Sequence, residues 1–471
     1  MLIEMLLVLA QALPQASPGT DTLALPLSDA VTRALRTGDE ARQAEAQTEL
    51  ADAQATVARA AAFPQLRLAH TYQHVYQNAR AQAVGSIFNQ PNTFNLNANV
   101  SQTVFQGGRV VAGWRAGARL RSAAEANELE SRQDVALAVV RSYLNALLAE
   151  RLLRIQEGNL ALAADRLKQV EQFQAAGRSA QYDVLRAKVE QANLEPAVIQ
   201  ARSDLELAQL ELKRLVNLPM DAPLKLTTAV EPGAVAEVAK AAEDIESAPV
   251  KRSALEAAEL TARARHDAVA VARADLFPQV SIFFQSGYLA YPLGTRYPLS
   301  AGRLEEITCP PGSTPGRACT QQNGGWFSDR SMGINISWPL FDGLRTKGNI
   351  DVAQAQARLA DLQLRQEREV VAVEVAQARA EFRRAEAAFS ARRENVAEAT
   401  EAFRLASLRF NRGLSTQLDV QDAQLALLTA QTNEARATHD LYLAAAGLAR
   451  ALGRPMPLPD GGSIPTTNPG D

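Results

Sequence analysis

Cysteine and histidine are scarce in this 471-residue chain, at two and four residues. That excludes a disulfide-stapled scaffold or a row of zinc sites. Aromatic residues are only 5%, so the 47% hydrophobic share is mainly aliphatic residues and alanine. Such a mixture favours long helices over an all-β sandwich and rules out disorder over most of the length. An excess of one charge is also missing: 49 Lys and Arg stand against 52 Asp and Glu, for a net charge of −3. This balance does not suit a protein that holds nucleic acid by bulk charge, and no nucleic acid is expected as a partner. No apolar run reaches the ~18 residues of a membrane-spanning helix. There is no Walker-type loop, no Gly-x-Ser-x-Gly and no Cys/His ligand cluster, so neither an enzyme, a cofactor nor a metal centre is expected. His70 and His74 lie four apart on a candidate strand, and read as solvated strand residues rather than a metal pair.

What is present is a repeat. Val100-Ser-Gln-Thr-Val-Phe105-Gln-Gly107-Gly-Arg109 reappears as Ile336-Ser-Trp-Pro-Leu-Phe341-Asp-Gly343-Leu-Arg345, at an offset of 236. The same offset carries Gly177-Arg-Ser179-Ala-Gln-Tyr-Asp183 onto Gly413-Leu-Ser415-Thr-Gln-Leu-Asp419. Upstream, Phe63-Pro64-Gln65 recurs as Phe277-Pro278-Gln279 at an offset of 214, leaving 22 extra residues in the second copy. One unit has been duplicated.

Each copy changes texture along its length. No proline occurs from Arg109 to Ala176 or from Arg345 to Arg412, and Phe382, Phe389, Val396, Phe403 and Phe410 fall every seventh residue. Ala146, Leu153, Leu160 and Leu167 do the same in the first copy. Heptads of this kind predict helices packed lengthwise on other helices, about 100 Å long at ~1.5 Å per residue. Gly177 and Gly413 should end these rods, with Ser179 and Ser415 capping return helices, and Pro196 should kink the first return. Helical stretches also fit about Ser28 to Ala62, with Ser28 as N-cap, and Ser253 to Leu276. Between Phe-Pro and Phe-x-Gly the period falls to two: Phe94, Leu96, Ala98 and Val100 alternate with Asn95, Asn97, Asn99 and Ser101. Met332, Ile334, Ile336 and Trp338 alternate likewise. This predicts two hairpins, hence four strands long enough to cross a membrane at a tilt, with one face apolar.

Four such strands cannot stand alone, because open edges leave backbone N–H and C=O groups unpaired in hydrocarbon. Closure by two, three or four chains is equally compatible with the residues. The duplicated order resembles the TolC-type outer-membrane efflux proteins: short helix, Phe-Pro, strand hairpin, Phe-x-Gly-x-Arg, long helix, Gly-x-Ser turn, return helix. The resemblance begins near residue 23 with Leu25-Pro-Leu-Ser-Asp-Ala-Val. It implies an α+β membrane protein, internally duplicated, in which a long α-helical periplasmic barrel continues into a trimeric twelve-stranded transmembrane β-barrel, four strands per protomer. Expected segments are an export signal and leader over 1–22, marked by Ala10-Gln11-Ala12 although Glu4 stands where positive charge belongs. A first repeat follows over 23–248, with its strand hairpin at about 64–104, helical hairpin at about 109–216 and equatorial segment at about 217–248. A second repeat spans 249–452, with hairpins at about 278–341 and 345–452, and a Pro/Gly-rich flexible tail spans 453–471.

The implied function is the exit duct of a tripartite efflux or type I secretion system, conducting passively from the periplasm to the exterior of a Gram-negative-type cell. Implied partners are two further copies as a homotrimer, a periplasmic adaptor (membrane fusion) protein, an inner-membrane pump of RND, ABC or MFS type, and outer-membrane lipid. The competing reading is a soluble coiled-coil scaffold or the adaptor itself; neither explains two strand hairpins at matched places. By resemblance, Gly413, Leu414 and Ser415, with Gly177, Arg178 and Ser179, form adaptor-docking turns. Asp419 and Asp422, with Asp183 in the first copy, match the family's periplasmic gate, while its tyrosine and arginine are here Phe410 and Ser415. Cys309 and Cys319, both in the surplus of the second hairpin, are expected to form an external disulfide.

Overall fold

A computed structural model describes residues 23–84, 90–292, 294–308, 319–458 and 463–464. The first repeat runs β1 (Leu23–Leu25), α1 (Leu27–Thr37), α2 (Asp39–Ala60), β2 (Gln65–His74), α3 (Ala79–Val84), β3 (Asn92–Gln106), α4 (Arg109–Ala175), α5 (Gln181–Leu215), β4 (Leu224–Leu226) and α6 (Pro232–Glu246). The second runs α7 (Ser253–Arg273), β5 (Gln279–Ala290), β6 (Leu304–Ile307), β7 (Cys319–Gln322), β8 (Trp326–Ser337), α8 (Arg345–Asn411), α9 (Gln417–Ala451), β9 (Met456–Pro457) and β10 (Ser463–Ile464). Spatially the chain divides across the repeats, into one unit of 1–49, 124–257 and 364–471 and another of 50–123 and 258–363.

The first unit holds the main core. Leu27, Ala30, Val31 and Ala34 line one face of α1 and are all buried, the spacing of an amphipathic helix. Gly38, the C-cap between α1 and α2, is in extended conformation, where a Cβ would stand 2.4 Å from the Ala34 carbonyl oxygen. The N-cap is Pro26 rather than Ser28. Val139, Val140, Tyr143 and Leu144 of α4 meet Leu212 of α5, Val235 and Val238 of α6, Phe382 of α8 and Leu441, Tyr442 and Leu448 of α9. Each large side chain fully buried in this way contributes about 1.5–3 kcal/mol. The Tyr143 hydroxyl donates to the Leu25 carbonyl at 2.8 Å, fixing the parallel pair β1–β4 on the core. Nearby, the buried Arg252 pairs with Glu130 at 2.6 Å and Glu374 at 2.9 Å, while Arg450 reaches Asp134 at 2.5 Å and the same two glutamates. Deleting Arg252, the buried member of this network, should cost about 3–5 kcal/mol.

Two expectations change in this unit. The segment from 453 is not uniformly open tail: Met456 and Leu458 are buried in the core, and the Tyr442 hydroxyl donates to the Pro457 carbonyl. Its Pro/Gly composition conceals two apolar residues with a place to go. In the heptad stripe, Phe382 and Phe389 are buried, whereas Val396, Phe403 and Phe410 are only half-buried.

The second unit is built on one antiparallel sheet, order β2–β3–β5–β8. The two hairpins are joined by the β3–β5 ladder, with a bulge between Thr103 and Phe105. Register rows put Leu66, Val100, Phe284 and Met332 side by side on one face, and Arg67, Asn99, Gln285 and Ser331 on the other. The sheet therefore has an apolar and a polar side, as the alternation predicted. Between β5 and β8, Tyr297 lies on the apolar side, its ring 5.4 Å from Phe94 and 5.6 Å from Trp326. His70 joins this aromatic cluster, and His74 Nδ1 instead bonds Asn92 Oδ1 at 2.7 Å. At the sheet's foot Arg109 pairs with Asp275, and Arg119 with the buried Asp267 at 2.6 Å.

Candidate functional site

The helical hairpins end in two turns of the same design. Gly177 and Gly413 adopt φ of +71° and +74°, values at which a side chain is strained. The N–H of Arg178 reaches back to Phe173 O at 2.8 Å and that of Gly177 to Gln174 O at 2.9 Å. Leu414 and Gly413 repeat this onto Arg409 O and Phe410 O, at 2.8 and 2.9 Å. Both are Schellman endings, which satisfy the last carbonyls of the incoming helix. The return helices begin one residue later than predicted, with N-caps Ala180 and Thr416 instead of Ser179 and Ser415, because the Schellman turn uses one residue beyond the glycine.

The aspartates complete these turns. Asp419 Oδ2 accepts from the Thr416 N–H at 2.8 Å and from its hydroxyl at 2.9 Å, while the Thr416 hydroxyl accepts from the Asp419 N–H at 3.3 Å. This is a capping box with Asp in place of Glu. The backbone bond from Thr416, then its hydroxyl, hold the Asp419 carboxyl below its ordinary pKa. Asp183 accepts from the Ala180 N–H at 3.1 Å and the Ser179 hydroxyl at 2.8 Å. Asp422 lies exposed in a groove of about 640 Å³ between α8 and α9, with Glu398, Asn395 and Asn433. Asp419 and Asp422 thus share a helix but not an environment.

The two hairpins also touch. The Phe410 ring is 6.2 Å from Phe173, over which the Arg178 guanidinium sits at 4.9 Å, and Gln169 donates to Asn411 at 2.6 Å. About two turns higher, Arg186 of α5 donates to Gln421 of α9 at 2.7 Å, and Gln421 donates to Glu190. Glu190 in turn pairs with Arg166 of α4 at 3.5 Å. Burial pushes the Arg166 pKa down, while Glu190 opposes that shift. This four-residue network was not read from the sequence. Arg186 stands in the first copy where the second has Asp422, and its i, i+4 spacing to Glu190 was the available signal. Of the two cysteines expected to pair, Cys319 opens β7 opposite Ile307, whereas Cys309 lies outside the described residues.

The sequence model of a family described as "Outer membrane efflux protein" matches residues 31–218 and 245–454. The chain is 25% identical over 356 residues to the cobalt-zinc-cadmium resistance protein CzcC of Cupriavidus metallidurans, covering 74% of each. It is 22% identical over 437 residues to the outer membrane efflux protein BepC of Brucella suis biovar 1, covering 93% of this chain and 87% of that one. Its fold matches the outer membrane protein VceC of Vibrio cholerae with a TM-score of 0.71, at 21% identity, over 91% of this chain and 96% of that one. A soluble scaffold or adaptor is set aside by a family match that takes in both repeats.

Proposed function

Because the chain belongs to the outer membrane efflux protein family, and so forms an outer-membrane efflux channel extending into the periplasm, we propose that three copies close one barrel. Each copy contributes its four strands, giving twelve, and the long helices continue as a periplasmic tunnel. Conduction is passive, with no catalytic step. An inner-membrane pump supplies the energy and a periplasmic adaptor seats on the turns at 177–179 and 413–415. Asp419 and Asp422 form two stacked carboxylate rings at the entrance, which concentrate cations at the mouth. Cys309 and Cys319 pair at the exterior.

The observation that carries this reading is the sheet itself. It has an apolar face with Ile334, Ile336 and Met332 largely exposed, and it ends in two edge strands, β2 and β8. A sheet of that kind belongs in lipid and must be closed there. Cell fractionation followed by gels of unheated and heated samples tests it. A heat-dissociable oligomer in the outer-membrane fraction supports the reading; a soluble monomer ends it.

A further inference from the structure

The two strand hairpins share one backbone plan and differ in chemistry. Gln65 pairs with Ser101 and His74 with Asn92 in the first; Gln279 pairs with Ser337 and Tyr288 with Ser328 in the second. Under the offsets of 214 and 236 these are the same positions. At the end of the apolar face far from the helices, Tyr72, His74, Asn92 and Phe94 therefore correspond to Ser286, Tyr288, Ser328 and Arg330.

The first quartet satisfies itself. The Tyr72 hydroxyl donates to Asn92 Oδ1 at 3.0 Å, and His74 Nδ1 lies 2.7 Å from the same oxygen. The Phe94 ring packs 4.6 Å from Tyr72 and is only 6% exposed. The second quartet stays open. Ser286 and Arg330 stand directly opposite on β5 and β8, with Tyr288 and Ser328 opposite each other one step further out on the same face. Opposed Cβ atoms are about 5 Å apart and same-face neighbours along a strand about 7 Å. One guanidinium and three hydroxyls thus share a small patch, with Arg330, Tyr288 and Ser328 exposed and Ser286 half-buried. Among the described residues, none of these four side chains has a hydrogen-bond or ion-pair partner.

No acid answers Arg330 on its own face. Asp329 is the one acidic residue of β2, β3, β5 and β8, and alternation turns it to the polar side with Gln285 and Ser331. The other basic residue of these strands, Arg67, also faces that side, opposite Asn99. An unpaired arginine toward lipid is costly at mid-membrane and tolerated near the interfaces. Arg330 holds the place of Phe94, and strands of one barrel tilt alike, so equivalent positions stand at similar depth. Phe94 belongs to an aromatic cluster with Tyr72, Tyr297 and Trp326, the composition of an interfacial girdle. Because β3 and β8 leave for α4 and α8 from the opposite end of the sheet, this girdle lies in the outer leaflet.

We propose that Arg330, Ser286, Tyr288 and Ser328 form a phosphate site on the outside of the barrel, occupied by the phosphorylated glycolipid of the outer leaflet. The site rests on the closed-barrel reading above and gives its lipid face a specific ligand. The guanidinium offers a phosphate two parallel N–H donors, and the hydroxyls donate to its remaining oxygens or accept from the sugar. Aromatic rings beside hydroxyls suit a sugar phosphate better than a bare glycerol headgroup. The acyl chains then run toward the foot over Phe284, Met332, Ile334 and Ile336, which share this face. The first hairpin has a phenyl ring in the cation's place and its polar groups already paired, so each chain carries one such site.

Native mass spectrometry of the detergent-extracted oligomer with added lipid tests the site. The probes are bisphosphorylated lipid A, the same lipid with both phosphates removed, and phosphatidylglycerol. The parent should bind bisphosphorylated lipid A about tenfold more tightly than the dephosphorylated form. Arg330→Phe, which copies the first hairpin, should abolish that preference, and Arg67→Gln on the polar side should keep it. Ser286→Ala with Tyr288→Phe and Ser328→Ala leaves the cation in place and should weaken binding about threefold; it decides the matter should Arg330→Phe fail to assemble. An unchanged preference in Arg330→Phe, or unchanged binding in the triple variant, overturns the site. Phosphatidylglycerol binding as tightly as bisphosphorylated lipid A overturns the occupant. A protein extracted only as a monomer overturns the barrel reading and the site with it.

Discussion

The two hairpin tips differ in an instructive way. Both keep glycine at positive φ, the Schellman bonds and an aspartate at the third helical residue, because the backbone demands them. One turn further the copies diverge: Asp422 lies exposed in a groove of the second hairpin, while Arg186 of the first reaches across to Gln421. Duplication has kept what builds the turn and let the next turn diverge. Under the proposed gate, one half supplies negative charge to the mouth and the other supplies the strut between hairpins.

The strongest test of that division is at the glycines. Gly413→Val meets no neighbour, so its cost is conformational, about 1–3 kcal/mol for a β-branched residue at positive φ. Dye efflux in cells carrying the cognate pump should fall to the level of a channel deletion, with heat-dissociable oligomers retained. Gly177→Val should impair efflux less; equal loss would erase the functional difference between tips. Next is the strut. Gln421→Leu removes the link from Arg186 to Glu190 and should raise single-channel conductance in planar bilayers. An unchanged conductance would mean the network does not restrain the entrance.

The charge half is tested by neutralising it. Asp419→Ala with Asp422→Ala should lower cation preference and relieve block by trivalent cations. Separately, Asp422→Asn should change selectivity alone, whereas Asp419→Ala should also weaken the capping box at the start of α9. If both single variants lower stability alike, the two acids are not in distinct environments. The smallest effect is on pH. Asp419 has a depressed folded pKa, so its contribution is present above the unfolded value of about 3.9 and disappears as pH falls through the lower folded value. Amide exchange at the α9 N-terminus should therefore stay protected down to about pH 4. Loss of protection at pH near 6 would contradict the capping box.

Much of this was legible because it obeys a period or an offset. Phe94 to Val100 alternates as a strand must, and the positions of Phe105 and Phe341 mark equivalent strand ends in the two repeats. Gly177 and Gly413 announced their turns. What resisted reading depends on partners far away in sequence. Gln421 meets Glu190 and Arg186 across more than 200 residues, and no local pattern marks that pairing. Met456 and Leu458 were hidden by a Pro/Gly-rich surrounding, and the N-caps shifted because the turn type fixes them more firmly than serine's preference does. Pro196 lies inside α5, which runs unbroken from Gln181 to Leu215.

The central claim is closure by three chains, and the mass of the intact particle addresses it most directly. Native mass spectrometry of the detergent-extracted, unheated protein should give one species of three chain masses. A particle of two or four chains would set the strand number at eight or sixteen and contradict the account, as would a single chain.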